Sequence, residues 1–269
     1  MATTPWELLN QVFTVERIMT PRDRLLTWEE GTNKKQVLEE AKARRFDLIP
    51  ITKGNRITGL MRRGKRAGSL PERWLIAAST GVADLLDAFA KSRQPGFLVL
   101  RCQDVVGLVT PSDLNKIEVR AYVYNLVGQL EIGLGKIVRE AYPDESKVLT
   151  VLSEERRNEI EPVRSITETG KVDVGVVASL YLSDLFTVIS KTPGLRARLG
   201  YPSRKRAEAV LNRLNGLRNC IMHPIRPFVW DADRDVAAQH KLIESARDIL
   251  QLLEELENVP KVATSVVAA

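Results

Sequence analysis

Two stretches of this chain carry the same order of elements, and a duplicated unit constrains the fold more than any single motif does. The first begins with a helix over Thr32 to Arg45, with Val37, Leu38 and Ala41 on one face. It continues through the apolar strand Phe46 to Thr52, a Lys53-Gly54-Asn55 turn, and a second strand from Arg56 to Met61. The second begins with a helix over Gly81 to Ser92, with Val82, Leu85, Leu86 and Phe89 on one side. A strand from Gly96 to Leu100, a turn from Arg101 to Asp104 and a strand from Val105 to Val109 follow. Pro111-Ser112-Asp113-Leu114 then opens a further helix, which is expected to run nearly straight on towards Tyr122.

Past Ile117 the strand signals stop and helical periodicity takes over. Ala121 to Ala141 carries Tyr124, Val127, Leu130, Ile132, Leu134, Ile137 and Val138 as a broad apolar stripe. Ser146 to Glu161 reads as a short helix or connector. Asp173 to Lys191 is strongly apolar and stops at Thr192-Pro193-Gly194. Ser203 caps the next helix, which runs through Val210, Leu211, Leu214 and Leu217 to His223. The last helix starts near Asp231 or Asp233, and Val259 to Ala269 reads as a frayed tail. The expected fold class is therefore α+β: repeats over 13–68 and 74–119 within residues 1–119, an all-α bundle over 120–258, and a tail over 259–269.

Composition narrows the function classes. A chain of 269 residues is long enough for two domains. No apolar run is long enough to span a membrane, and Met1 to Glu7 lacks the pattern of a secretory signal. The two cysteines, Cys102 and Cys220, suggest neither a disulfide framework nor a metal site, so a reducing, cytoplasmic location is the default. A net charge of +6 and a pI near 9.4 favour polyanionic partners.

The chemistry concentrates in Leu217-Arg218-Asn219-Cys220-Ile221-Met222-His223-Pro224. Five residues along a helix turn through about 500°, so Arg218 and His223 point roughly 140° apart and can border one cleft. Asn219, four residues before His223, is placed to hydrogen-bond the imidazole and set its tautomer. Pro224 ends or kinks the helix. A titrating imidazole beside a permanent cation suits a phosphodiester: one moves a proton and the other holds the phosphate. The same residues also read as a helix-ending histidine beside a surface arginine. Arg204, Lys205 and Arg206 open this helix, where cations oppose the dipole, so they are candidate contacts to RNA phosphates or a solvated face. His240, the other histidine, lies on the charged face of the final helix and reads as a surface residue.

Ile18-Met19-Thr20-Pro21, the strand ending Leu48-Ile49-Pro50-Ile51, and Gly107-Leu108-Val109-Thr110-Pro111-Ser112-Asp113-Leu114 resemble a tandem pair of CBS domains, with β-α-β-β-α repeats. The last segment matches the adenine-nucleotide signature of that family. The resemblance implies that Thr110 and Ser112 face phosphate and that Asp113 accepts from ribose hydroxyls. It also implies an adenine near Phe97 and Leu98, with Thr80 at the rim. AMP, ADP or ATP would then be a regulatory ligand. The first repeat departs from the pattern: Arg62-Arg63-Gly64-Lys65-Arg66 follows Met61, so one ribose site at most is expected and the basic run reads as a solvated loop. Thr110 to Asp113 equally fits plain capping of a helix.

The helical half looks like the HEPN superfamily, on Arg218-Asn219, three further positions, and His223-Pro224. That resemblance implies a metal-independent endoribonuclease without a catalytic cofactor. His223 would be the acid/base, Arg218 would hold the scissile phosphate, Asn219 would orient the imidazole, and Glu131 would face the cleft. It further implies a composite site in a homodimer acting on RNA, with an antitoxin or regulatory partner left open. The alternative is a non-catalytic nucleotide-sensing scaffold whose helical half serves dimerisation or RNA binding; little aromatic–basic interleaving surrounds Arg218.

Overall fold

The computed structural model describes residues 4–54, 56–62, 64–69, 72–92, 94–169, 175–223, 225, 227 and 236–258. They divide into two compact units, one of residues 4–123 with the described part of 225–243, the other of 124–223 with 244–258.

The first unit opens with α1 (Pro5–Val12) and α2 (Val15–Ile18). Then follow β1 (Thr20–Pro21), β2 (Trp28–Glu29), α3 (Lys34–Ala43), β3 (Leu48–Lys53), β4 (Arg56–Arg62) and β5 (Lys65–Ser69). The second run is β6 (Leu75–Ala77), α4 (Val82–Ser92), β7 (Phe97–Arg101) and β8 (Asp104–Val109). The duplication is explicit. In β2-α3-β3-β4 and in β6-α4-β7-β8, the strands flanking the helix are parallel and the hairpin is antiparallel. The register slips between Ile51 and Thr52 in one hairpin and between Val99 and Leu100 in the other, so even the bulge is repeated.

The two repeats give two four-stranded sheets, ordered β2-β3-β4-β5 and β1-β8-β7-β6. Leu48, Ile57 and Leu60 of one sheet meet Leu98 and Leu108 of the other, with Trp74 among them. On the opposite face of the first sheet, Ile49, Ile51 and Met61 pack with Ala41 of α3. Both faces of β3 are therefore covered, which is why it reads as an unbroken apolar run. Asn10 of α1 caps α4 from outside: its side-chain oxygen accepts from the Ala83 amide at 3.0 Å, and its amide donates to Asp84 at 3.1 Å. Gly81 leaves the room for this, since a Cβ there would lie 2.1 Å from Asn10 Oδ1.

Two expectations change here. The basic run after Met61 is a hairpin, not a loop: Lys65 stands opposite Arg62 and Arg66 opposite Met61, and Gly64 turns the chain at φ +77°. A polar edge strand has no alternating signal of its own, so only β4 as a partner reveals it. The direct run from Pro111 into a long helix is also interrupted. Pro111–Asn115 is a 3-10 turn, Lys116 is extended at φ −65° and ψ 153°, and α5 (Ile117–Ala141) begins after it. Asn55 and Arg63 lie outside the described residues.

The second unit is helical: α5 from Tyr124 on, α6 (Ser146–Val151), α7 (Glu154–Thr169), α8 (Leu182–Lys191), α9 (Pro193–Arg198), α10 (Arg204–Met222) and, from Glu244 on, α11 (Val236–Asn258). The stretch read as a short helix or connector over Ser146 to Glu161 holds two helices, with the Ser153 hydroxyl accepting from the Arg156 amide at 3.3 Å between them. Pro193 both ends α8 and occupies the first turn of α9, where its missing amide hydrogen costs nothing. Ser203 caps α10 by accepting from the Arg206 amide at 3.2 Å. Ala207, Leu211, Leu214, Leu217 and Ile221 form the buried stripe of α10, which packs on α8. A Cβ at Gly133 of α5 would come within 2.8 Å of Leu256 Cδ1, so these two helices approach closely there. Pro224, the expected helix start at Asp231 or Asp233, the His240 side chain and the tail over 259–269 lie outside the described residues. Among the described residues, no helix is long and apolar enough to cross a membrane.

Candidate functional site

Thr20 and Thr110 meet at Asp113. This residue stands third in the 3-10 turn that follows β8, and it is buried. Its Oδ2 accepts from the Thr110 amide at 2.7 Å and from the Thr110 hydroxyl at 3.0 Å, closing a capping box. Its Oδ1 accepts from Lys116 Nζ at 2.8 Å and from the Thr20 hydroxyl at 3.5 Å. Thr20 arrives from 93 residues earlier because β1 pairs with β8, Thr20 opposite Leu108. Gly107 permits this pairing, since a Cβ there would lie 2.7 Å from the Thr20 carbonyl oxygen and 2.5 Å from Met19 Sδ. Ser112 Oγ lies 2.7 Å from Thr110 Oγ1 and is exposed.

Sequence reasoning overlooked Lys116. Its ammonium donates to Asp113 and also to the carbonyl oxygens of Ile18 and, at 3.2 Å, Met19. All three of its hydrogens are thus matched. The spacing of three residues from Asp113 was the available signal. Gly96 and Leu48 were overlooked as well: a Cβ at Gly96 would lie 2.7 Å from Leu48 Cδ1, 2.9 Å from the Val109 carbonyl oxygen and 3.2 Å from Thr110 Cγ2. Leu48 and the Thr110 turn thus both crowd Gly96.

Phe97 and Leu98 fall in the core, not on an open wall. The Phe97 ring lies 5.1 Å from that of Phe89, and Leu98 belongs to the cluster between the sheets. Thr80 is half-buried and engaged through its backbone: its carbonyl accepts from the Val15 amide at 2.8 Å and its amide donates to Ala77 at 3.1 Å. It is not among the groups bonded to Asp113. A separate cavity of about 380 Å³ opens at the far end of β7, beside the Glu16–Arg101 ion pair, with Ile76, Ser79 and Cys102 in its wall.

In the second unit, α10 carries Arg218 just before its last turn and Asn219 within it, and its C-cap is His223, whose backbone leaves the helix at φ −114° and ψ 84°. Arg218 Nη1 donates to Asn219 Oδ1 at 3.4 Å, so the asparagine is engaged by the arginine rather than by the imidazole. His223 is exposed and, among the described residues, makes no hydrogen bond. Met222 beside it is 48% exposed, leaving an apolar rim next to the polar pair. Glu131 is half-buried on α5, and no described ion pair joins it to Arg218. Arg204, Lys205 and Arg206 are exposed at the other end of α10, with Arg204 paired to Glu208 at 2.7 Å. At 1.5 Å per residue, Lys205 and His223 are about 27 Å apart along the axis, so only an extended ligand touches both.

No family model matches the chain, and no curated protein does. Solved structures of CBS domains resemble its N-terminal two fifths. CBSX2 in complex with AMP is 19% identical at a TM-score of 0.35, covering 41% of this chain and 96% of that one. The CBS domain of the bacterial CNNM/CorC family Mg2+ transporter in complex with ATP is 18% identical at 0.35, covering 44% and 92%. The CBS domains of a transcriptional regulator from Streptococcus pneumoniae are 20% identical at 0.32, covering 38% and 97%.

Proposed function

We propose that the N-terminal unit is an adenine-nucleotide-sensing module and that the helical unit is its output, a metal-independent endoribonuclease acting on RNA as a homodimer. One observation carries the first half of this reading. Thr20 and Thr110, drawn from the two ends of the duplicated unit, both donate to the Asp113 carboxylate, and the Ser112 hydroxyl joins them through the Thr110 hydroxyl. Three hydroxyls and a carboxylate in that space suit the hydroxyl and phosphate edge of a nucleotide. In the helical unit, His223 takes the proton of a ribose 2′-hydroxyl and its oxygen attacks the adjacent phosphorus. The 5′-oxygen leaves as a hydroxyl with a proton from a second imidazole or from water, and a 2′,3′-cyclic phosphate remains. Arg218 offsets the charge gathering on the phosphorane oxygens. One such pair per chain favours a cleft shared by two copies.

The lack of a described partner to orient His223 favours a second reading, in which the helical unit is a dimerising or RNA-binding scaffold. One experiment separates them. Purified protein and His223→Ala are incubated with structured RNA in EDTA, with and without AMP, ADP or ATP. Cleavage by the wild type alone, leaving cyclic phosphate ends, is the expected result. His223 is exposed and makes no hydrogen bond among the described residues, so the substitution is expected to leave the melting temperature within about 1 °C. A folded, nucleotide-binding protein that cleaves nothing makes the scaffold the function.

A further inference from the structure

The geometry points to a built-in competitor at the nucleotide site: Lys116 holds Asp113 as an internal cation, and a ribose diol binds only by displacing it. This inference rests on the reading of Asp113 as the ribose acceptor. An ionised carboxylate offers about four acceptor positions, and all of them are taken. Oδ2 serves the Thr110 amide and hydroxyl, while Oδ1 serves Lys116 and Thr20. The Thr20 contact, at 3.5 Å, is long and yields readily. A diol donates two hydrogen bonds, so a second position must come from Thr110 or from Lys116. Giving up Thr110 opens the turn and leaves a part-buried backbone amide unpaired. Giving up Lys116 moves an ammonium whose side chain is already 38% exposed into water. Lys116 therefore leaves first.

Its departure is not a local event. The same ammonium ties the last carbonyls of α2, at Ile18 and Met19, to the residue that immediately precedes α5. Occupancy of Asp113 and release of this tether become one equilibrium, so each biases the other by the same free energy. The site is self-satisfied when empty, and a nucleotide opens it by exchange.

The test is isothermal titration of adenosine and of AMP into the full chain and into Lys116→Met. The strap predicts that Lys116→Met binds adenosine at least fivefold tighter than wild type. The gain for AMP is smaller, because the substitution also removes attraction for phosphate. Binding to wild type and variant with equal affinity, or weaker adenosine binding by the variant, overturns the strap and leaves the nucleotide reading standing. No binding of either ligand to either protein at millimolar concentration overturns both. A second measurement serves if Lys116→Met does not fold. In wild-type protein carrying 13Cε-lysine, the Lys116 resonance, assigned through Lys116→Arg, moves to the position of a solvated lysine as AMP saturates. A Lys116 resonance that stays put at saturation overturns the proposal.

Discussion

Replacing Asp113 by alanine measures how much of this residue's work is structural. The substitution deletes the carboxylate half of a capping box, with its bonds from the Thr110 amide at 2.7 Å and the Thr110 hydroxyl at 3.0 Å, which secure the turn after β8. Loss of a cap of this kind costs about 1 kcal/mol. It also deletes the 2.8 Å pair with Lys116, in which the carboxylate side chain is 7% exposed and the ammonium side chain 38%. Half-screened pairs of this sort contribute about 0.5–1 kcal/mol. The sum is about 2 kcal/mol, which for a unit of this size lowers the melting temperature by about 8 °C. Asp113→Asn keeps one acceptor for Thr110 but turns an amide towards Lys116, donor against donor, and is expected to lose about half as much. The assay is thermal and urea unfolding of both variants, with hydrogen exchange at the Thr110 amide as a local reporter. That amide should exchange faster in Asp113→Ala. A loss below about 0.5 kcal/mol with unchanged Thr110 exchange would refute the reasoning, because Asp113 would then be held for a ligand and not for the turn.

Two further outcomes follow from the same bookkeeping of partners. In the helical unit, Arg156 clasps Asp184 through Nε at 2.9 Å and Nη2 at 2.8 Å and lies 4.4 Å over the Tyr181 ring, while Asp184 also accepts from the Tyr181 amide at 2.8 Å. Arg156→Lys keeps the charge but loses the fork and the stacking, so it should cost about 1–2 kcal/mol in urea unfolding; a neutral result would show that charge alone suffices. In the first repeat, the Thr52 hydroxyl and the Gly54 amide hold the Glu29 carboxyl below its ordinary value of 4.5. A depressed carboxyl stabilises the fold above its unfolded value and loses that contribution as pH falls through the folded one. The melting-temperature gap between wild type and Glu29→Gln should therefore be present at pH 7 and shrink below about pH 4; a gap that widens on acidification contradicts the assignment.

Local chemistry and periodicity were legible in the chain. The repeats stand out because β3 and β7 are short apolar runs beside amphipathic helices. The Ser203 cap and the Thr110–Asp113 box span three residues each, within reach of a motif. The short strands β1, β2 and β6 were not legible, because two or three residues carry no period and gain meaning only from a neighbour. That Phe97 and Leu98 are buried was not legible for a related reason: an apolar strand does not announce how fully its faces are covered.

Asp113 divides along the same line. Sequence alone determined that its carboxylate could close on Thr110, since three residues of a turn bring the two together whatever the rest of the chain does. Only the tertiary structure decided that the other oxygen is taken. Thr20 lies 93 residues away in the chain, and the carbonyls that hold Lys116 in place lie 98 and 97 residues from it. No local pattern encodes such contacts. They exist because β1 crosses to pair with β8, and the entropy of closing that long loop is repaid by the buried sheet as a whole rather than by the groups that meet at its end.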